Sequence, residues 1–272
     1  FQARLIEEYA QGRRVLLIFD EAQNLNRSAL EELRTMEDAV DAHMLAEAIG
    51  NDPLMTLKVL AFGSKNRPAR MLTQPETVTS TVVLMGISPF FRFFGPQPTL
   101  EDLLRDRPEA LVGARNVLRR ASRAANFALA FAVHRLDPDA AVIHQAALLH
   151  DFAELLLWCH APDLALEIQD AQRVDSTLRS KVVQRRVLNI DLEELQHALM
   201  QDWYLPEFLV HISDTRHAHH PNVQCVSLGV RIARHTSLGW DNAAVPDDVA
   251  DAAQLLNLST SAAMSLLRSL DI

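Results

Sequence analysis

His150 and Asp151 stand side by side within residues 142–160, VIHQAALLHDFAELLLWCH. An imidazole next to a carboxylate is the start of a metal site, or a general base with its orienting partner. By pattern the stretch is one helix, apolar on every side, and such a helix is buried. Two ionisable groups in its middle need partners or a bound ion. A catalytic divalent metal takes three or four protein ligands and keeps a position open for water. The doublet supplies two. The competing reading is a polar staple, in which Arg119, Arg120 or Arg123 of the preceding helix sets a guanidinium where a cation would sit. The staple is the expectation. It implies no catalytic residue, no cofactor and no metal; if an ion binds, His150 and Asp151 hold it.

Other groups carry less. In Arg14–Phe19 the arginine leads a fully apolar run, Val15–Phe19, with β-branched members, ending in Asp20-Glu21. That is the Walker B pattern, whose Asp serves Mg²⁺ and whose Glu lies near an attacking water. The chain has no GxxxxGK[ST] loop, so no nest of backbone N–H groups holds phosphates. Asp20 and Glu21 therefore read as a vestigial nucleotide site. His217, His219 and His220, with His211 upstream, form a His-rich turn that reads as an exposed loop. Phe90, Phe91, Phe93 and Phe94 lie in a proline-bracketed loop, either as core or as a partner-facing aromatic patch. Cys159 and Cys225 sit in apolar surroundings and read as buried thiols. No CxxC and no GxSxG occurs, so a zinc ribbon and a nucleophile elbow lack support.

The elements that must position these residues are helical. Only 8 of 272 residues are Gly, and none lies between Gly113 and Gly229. Long glycine-free stretches favour helix over β architecture. Asp52-Pro53, Thr99 with Asp102, Asp191 with Glu194, and Thr77 with Gly86 are helix start and stop signals. They predict helices over 41–50, 52–62, 77–85, 100–105, 108–134 and 138–160. Three more open at Pro162, Asp175 and Asp191, followed by 223–234, 246–256 and 260–270. The net charge of -9 argues against a general nucleic-acid binder. No apolar run reaches about 18 residues, so no membrane span is expected, and the cytoplasm is the default compartment.

Two resemblances sharpen this. GRRVLLIFDEAQNLNRSALEELR is similar to the Walker B part of AAA-type ATPases of the general secretion pathway class, over about 1–34. Further on, DPLMTLKVL, TVTSTVVLMG, AALLHDFAELLL, ELQHALMQDWYLPEFL and VSLGVRIAR occur in that order. Together they resemble the HDOD domain, a signalling relative of HD phosphohydrolases and HD-GYP phosphodiesterases, over about 38–272. The resemblance implies an all-α, multi-helix HD-like bundle. It implies a bacterial, non-catalytic signal-transduction module whose partners are regulatory proteins or attached signalling domains. The alternative is a metal-dependent phosphohydrolase or cyclic-nucleotide phosphodiesterase using His150 and Asp151. HD enzymes add a histidine from the preceding helix, where this chain has Arg119-Arg120-Ala121-Ser122. A later Asp is also expected, with Asp202 and Asp214 as candidates. The expected organisation is a truncated ATPase-like helix–strand–helix fragment over 1–35 and an HDOD-like helical domain over 36–272.

Overall fold

The computed structural model describes residues 41–66, 74–95, 97–175 and 177–271. The helix–strand–helix expected over 1–35, with Asp20 and Glu21, lies outside the described residues. Among the described residues every regular element is helical and none is a strand.

Local chemistry sets the helix starts. α1 (Ala42–Ile49) is capped by Asp41, whose carboxylate accepts from the Met44 N–H. α2 (Pro53–Lys65) is capped by Asp52, which accepts from Leu54 and Met55, with proline at the first helical position. α3 (Val78–Met85) opens with a Thr77–Ser80 capping box. It stops at Gly86, whose φ of 84° ends the helix and aims the chain into α4 (Ile87–Phe93). The loop expected around the four phenylalanines is thus a helix. Pro89 is tolerated because it sits in the first turn, where N–H groups have no intrahelical acceptor. α5 (Leu100–Leu103) carries the Thr99–Asp102 capping box but is only four residues long.

α6 (Pro108–His134) is the spine of the bundle. Its buried residues include Ala110, Ala114, Val117, Ala121, Ala124, Ala128 and Phe131, spaced by three or four along one face. This small-residue face admits close neighbours. α7 (Ala140–Leu148) and α8 (Phe152–His160) pack against it, as does α13, described below. A Cβ on Gly113 would fall 2.6 Å from the Trp158 ring, so the glycine is what lets α8 lie down on α6.

The single helix expected over 138–160 is instead two. α7 ends at Leu148 and α8 begins at Phe152, with Leu149, His150 and Asp151 in a tight turn between them. The Phe152 N–H donates to Leu149 O at 3.1 Å and the His150 N–H to Ala147 O at 3.3 Å. Hydropathy did not register the break because both flanking helices are buried and equally apolar. The span Ala140–His160 is long and apolar enough by composition to cross a membrane, with mean hydropathy 1.3, yet 67% of it is buried inside the protein. Burial against α6 accounts for that apolarity.

α9 (Pro162–Val174), α10 (Ser180–Leu188) and α11 (Leu192–Asp202) form a wall beside α8. Asp175 does not open α10 as expected; it closes α9, and α10 starts five residues later. Behind this wall Ala153, Ile168, Val183, Leu188, Ile190 and Leu192 make a small core of their own. Tyr204, at φ 55°, turns the corner into α12 (Glu207–Ile212). A 3₁₀ turn (Thr215–His217) then leads into α13 (Pro221–His235), α14 (Val245–Leu256) and α15 (Thr260–Leu270). α13 makes the most extensive contact with α6. Gly229 sets that approach: a Cβ there would sit 2.8 Å from Ala124 O and 3.0 Å from Ala128 N.

Candidate functional site

The break between α7 and α8 opens onto a cleft of about 890 Å³. Its inner end is formed by Arg120, His150, Asp151, Glu154 and Arg234, and its outer wall by α9, α10 and α11. Asp151 begins α8 and is buried. Arg120 reaches it from α6, where Nε donates to Asp151 Oδ2 at 2.8 Å. A second donor from the same guanidinium lies 2.6 Å from Glu154 Oε2. Arg234, from the last turn of α13, donates to Asp151 Oδ1 at 2.5 Å. His150 Nδ1 lies 2.9 Å from the same oxygen.

Electrostatics follow from this geometry. Burial alone would raise the Asp151 pKa. The charges of Arg234 and Arg120, with the hydrogen bond from His150, outweigh it and hold the carboxyl well below the usual carboxylate range. Burial would also weaken Arg120 as a cation, but Asp151 and Glu154 reverse the sign and raise it. Glu154 goes the other way. Burial and the negative charge of Asp151 raise it, against the pull of Arg120. One guanidinium thus bridges two carboxylates whose pKa values move in opposite directions.

The cluster can be tested against a metal. An ionised carboxylate has about four lone-pair sites. Asp151 spends three on Arg120, Arg234 and His150, two of them cationic. A divalent ion would have to displace those cations, so the residues present do not fit one. Among the described residues no group of three or more His, Cys, Asp or Glu side chains converges as a metal-binding set. Asp214 lines the cleft, yet its carboxylate is bound by Arg216 and caps the 3₁₀ turn. Asp202 closes α11 and lines no part of the cleft. His134 lies toward the far end of α6, bonded to Leu256 O at 3.1 Å.

The three arginines expected at the site separate. Arg120 enters it. Arg119 is exposed and reaches Asn116 Oδ1 at 3.5 Å. Arg123 points to the other side of α13, where it holds Asp271 Oδ1 at 2.6 Å, Thr236 Oγ1 at 2.7 Å and Ala233 O at 3.2 Å. The two lie three residues apart on one edge of the buried stripe, with Arg120 turned toward α8 and Arg123 toward the C-terminal end of α13. Sequence reasoning missed Arg234, which lies 83 residues from Asp151 in the chain. Its one signal was position, a cation in the last turn of an amphipathic helix.

Of the two readings of the phenylalanines, core describes three of the four. Phe90, Phe91 and Phe94 are buried core. They sit at i, i+1 and i+4, one face of α4, and only Phe93 turns outward, 57% exposed. The other cations of the cleft are paired: Arg185 with Asp191 at 2.9 Å and Glu194 at 2.6 Å, Arg216 with Asp214, and Lys181 with Glu193.

Comparison with known proteins places this geometry. The family model of the HDOD domain matches residues 27–221. No curated protein matches. The structure is similar to the MmoQ response regulator from Methylococcus capsulatus str. Bath, with TM-score 0.67 and 20% identity. That match covers 93% of this chain and 99% of the other. It is also similar to a virulence factor from Campylobacter jejuni subsp. jejuni, with TM-score 0.64 and 15% identity, over 100% of this chain and 98% of the other. At these identities the likenesses show the shared fold.

Proposed function

The chain belongs to the HDOD domain family, and from that premise we propose that it is a non-catalytic signal-transduction module that works by binding regulatory proteins or attached signalling domains. One observation carries the reading. The carboxylate an HD enzyme would give to its metal is here engaged by Arg120, Arg234 and His150. A fixed guanidinium supplies charge balance but activates no water, because it has no exchangeable coordination position. The staple also ties α6, α8 and α13 to one buried point, which suits a body that passes a change in one helix to another.

The cleft beside it is the proposed contact region, with Phe93 as a second. The proposed compartment is the cytoplasm. The test has two arms. Metal analysis of the purified chain should find no stoichiometric Mn, Fe, Zn or Ni that depends on His150. Assays with phosphomonoester and phosphodiester substrates plus added metal should show no turnover above a His150→Ala control. Metal lost in His150→Ala, together with hydrolysis lost in the same variant, would establish the phosphohydrolase or cyclic-nucleotide phosphodiesterase alternative instead.

The ATPase-like reading of residues 1–34 rests on the pattern around Asp20 and Glu21 alone. Titration with ATP addresses it: heat that disappears in Asp20→Ala would support a working nucleotide site, and the missing phosphate loop leads us to expect none.

A further inference from the structure

The staple leaves the inner end of the cleft with donors to spare. Arg234 donates to Asp151, and its side chain, 48% exposed, lines the cleft. The remaining N–H groups of that guanidinium have no acceptor among the described residues. His150 commits Nδ1 to Asp151 and also lines the cleft, and its Nε2 is unbonded among the described residues. The outer wall adds an amide. The buried residues of α11 are Leu192, Gln196, Leu199 and Met200, so Gln196 interrupts an apolar stripe. It is only 7% exposed, it lines the cleft, and its side chain makes no hydrogen bond among the described residues. Buried amides are ordinarily satisfied, and one left open on a cavity points to a group that comes from outside the chain. Leu157, Ile168 and Leu192 supply apolar lining to the same cleft. Its volume, about 890 Å³, is that of a small-molecule site, which runs from about 300 to 1,000 Å³.

On the footing of the non-catalytic reading, we propose that the cleft binds a small organic anion, a carboxylate or phosphate carried on an apolar body, as an effector. Charge sets the sign. The cations of the outer wall, Lys181, Arg185 and Arg216, are each tied to carboxylates of their own. Arg234 instead shares Asp151 with Arg120, so two guanidiniums draw on one carboxylate. A guanidinium half open to a cleft suits the paired oxygens of a carboxylate or phosphate. Such an anion uses N–H groups that the staple leaves free, so Asp151 keeps its bonds. The apolar body then has Leu157, Ile168 and Leu192 to cover, and Gln196 offers it a donor and an acceptor. α11 and α13 make no extensive contact with each other. A ligand reaching both Gln196 and Arg234 would join them, and with them the α9–α11 wall to the α6–α13 body.

The probe is anilinonaphthalene sulfonate, an organic anion with an apolar body, titrated into the full chain and read by its fluorescence. One equivalent should bind at micromolar concentration, and the melting midpoint should rise with free probe by mass action. Arg234→Gln should weaken binding about tenfold, the worth of one charge-assisted hydrogen bond. Gln196→Leu should weaken it about threefold or more, yet raise the melting midpoint of the free chain, because it removes a buried polar group that has no partner there. Leu238→Ser, at a fully exposed site, should change neither. Displacement of the probe by phenylbutyrate assigns a carboxylate, and displacement by phenylphosphonate a phosphate. Displacement by neither overturns the site, as does equal displacement by the cation phenylbutylamine. Undiminished binding in Arg234→Gln or in Gln196→Leu, or a loss only in Phe93→Ser, overturns it too, since the probe would then lie on an exposed apolar surface. Neither competitor can be hydrolysed, so absence of binding counts against the effector alone, whereas turnover in the phosphoester assays counts against the non-catalytic reading.

Discussion

Asp151→Ala removes the carboxylate on which three helices converge, and its cost can be worked from the partners left behind. Three charge-assisted hydrogen bonds are lost, from Arg120, Arg234 and His150. They are not equal. The Arg234 side chain is 48% exposed and rehydrates, so its share is that of a surface pair, about 0–1 kcal/mol. The His150 bond joins chain neighbours, and the freed imidazole can turn toward the cleft. Arg120 is the costly one, with 19% of its side chain exposed. Stripping one partner from a buried pair typically costs 3–5 kcal/mol. Here Arg120 keeps Glu154 at 2.6 Å, which lowers the loss. A total of about 2–3 kcal/mol results, between an ordinary charged hydrogen bond and a fully orphaned charge. Urea unfolding at pH 7 should show it as a lower midpoint at unchanged slope. Arg120→Ala should cost as much, Arg234→Ala under about 1 kcal/mol. Because the Asp151 pKa is depressed in the folded state, its contribution is complete above the ordinary aspartate value of 3.8 and fades as pH falls through the lower, folded value. The wild-type and Asp151→Ala curves should therefore converge in strong acid. A loss below about 0.5 kcal/mol, or one that appears only when divalent metal is added, would refute the staple.

Three further outcomes follow from the packing and the buried groups. Gly229→Ala should destabilise by about 1–3 kcal/mol despite alanine's better helix propensity, because the new methyl meets the Ala124 carbonyl at 2.8 Å; a melting midpoint at or above wild type would contradict the close α6–α13 contact. Burial raises the Asp52 pKa from 3.8 to about 7, against its bonds from Met55 and Leu54 and the charge of Lys58. The folded state favours the protonated acid, so wild type loses stability between those two pH values, by at most roughly 1.4 kcal/mol per pH unit. Asp52→Asn keeps the cap and should flatten that slope in melts taken at successive pH; an unaltered slope would remove Asp52 as its source. Burial pushes the Cys159 thiol up to about 12 and Cys225 to about 11, so neither should react with Ellman's reagent at pH 8 until urea unfolds the chain.

Much of the helical plan was legible in local chemistry. Asp41, Asp52, Thr77, Thr99, Asp191 and Ser259 all accept from N–H groups of the turn they start, a relation between residues two or three apart that the sequence displays directly. α6 and α15 fall on the predicted spans of 108–134 and 260–270; in the structure Pro108 opens the first and Ser259 caps the second. Asp175 misled because an aspartate also ends a helix well, here by caging Thr177 instead of capping α10. The turn at 149–151 was invisible because hydropathy is the same on both sides of it.

What the sequence alone decided is local: most of the caps and stops, and the adjacency of His150 and Asp151. What only the tertiary structure decided is who faces whom across the bundle. Asp151 meets Arg234 across 83 residues and Arg120 across 31, and Arg123 turns instead to Ala233 and Thr236 at the C-terminal end of α13 and to Asp271. Those pairings depend on the rotation and depth of α13 against α6, set in part by the missing side chain of Gly229. Periodicity gives each helix a face, but the azimuth at which two faces lock is fixed by packing, and it is that lock which makes the HD doublet a staple.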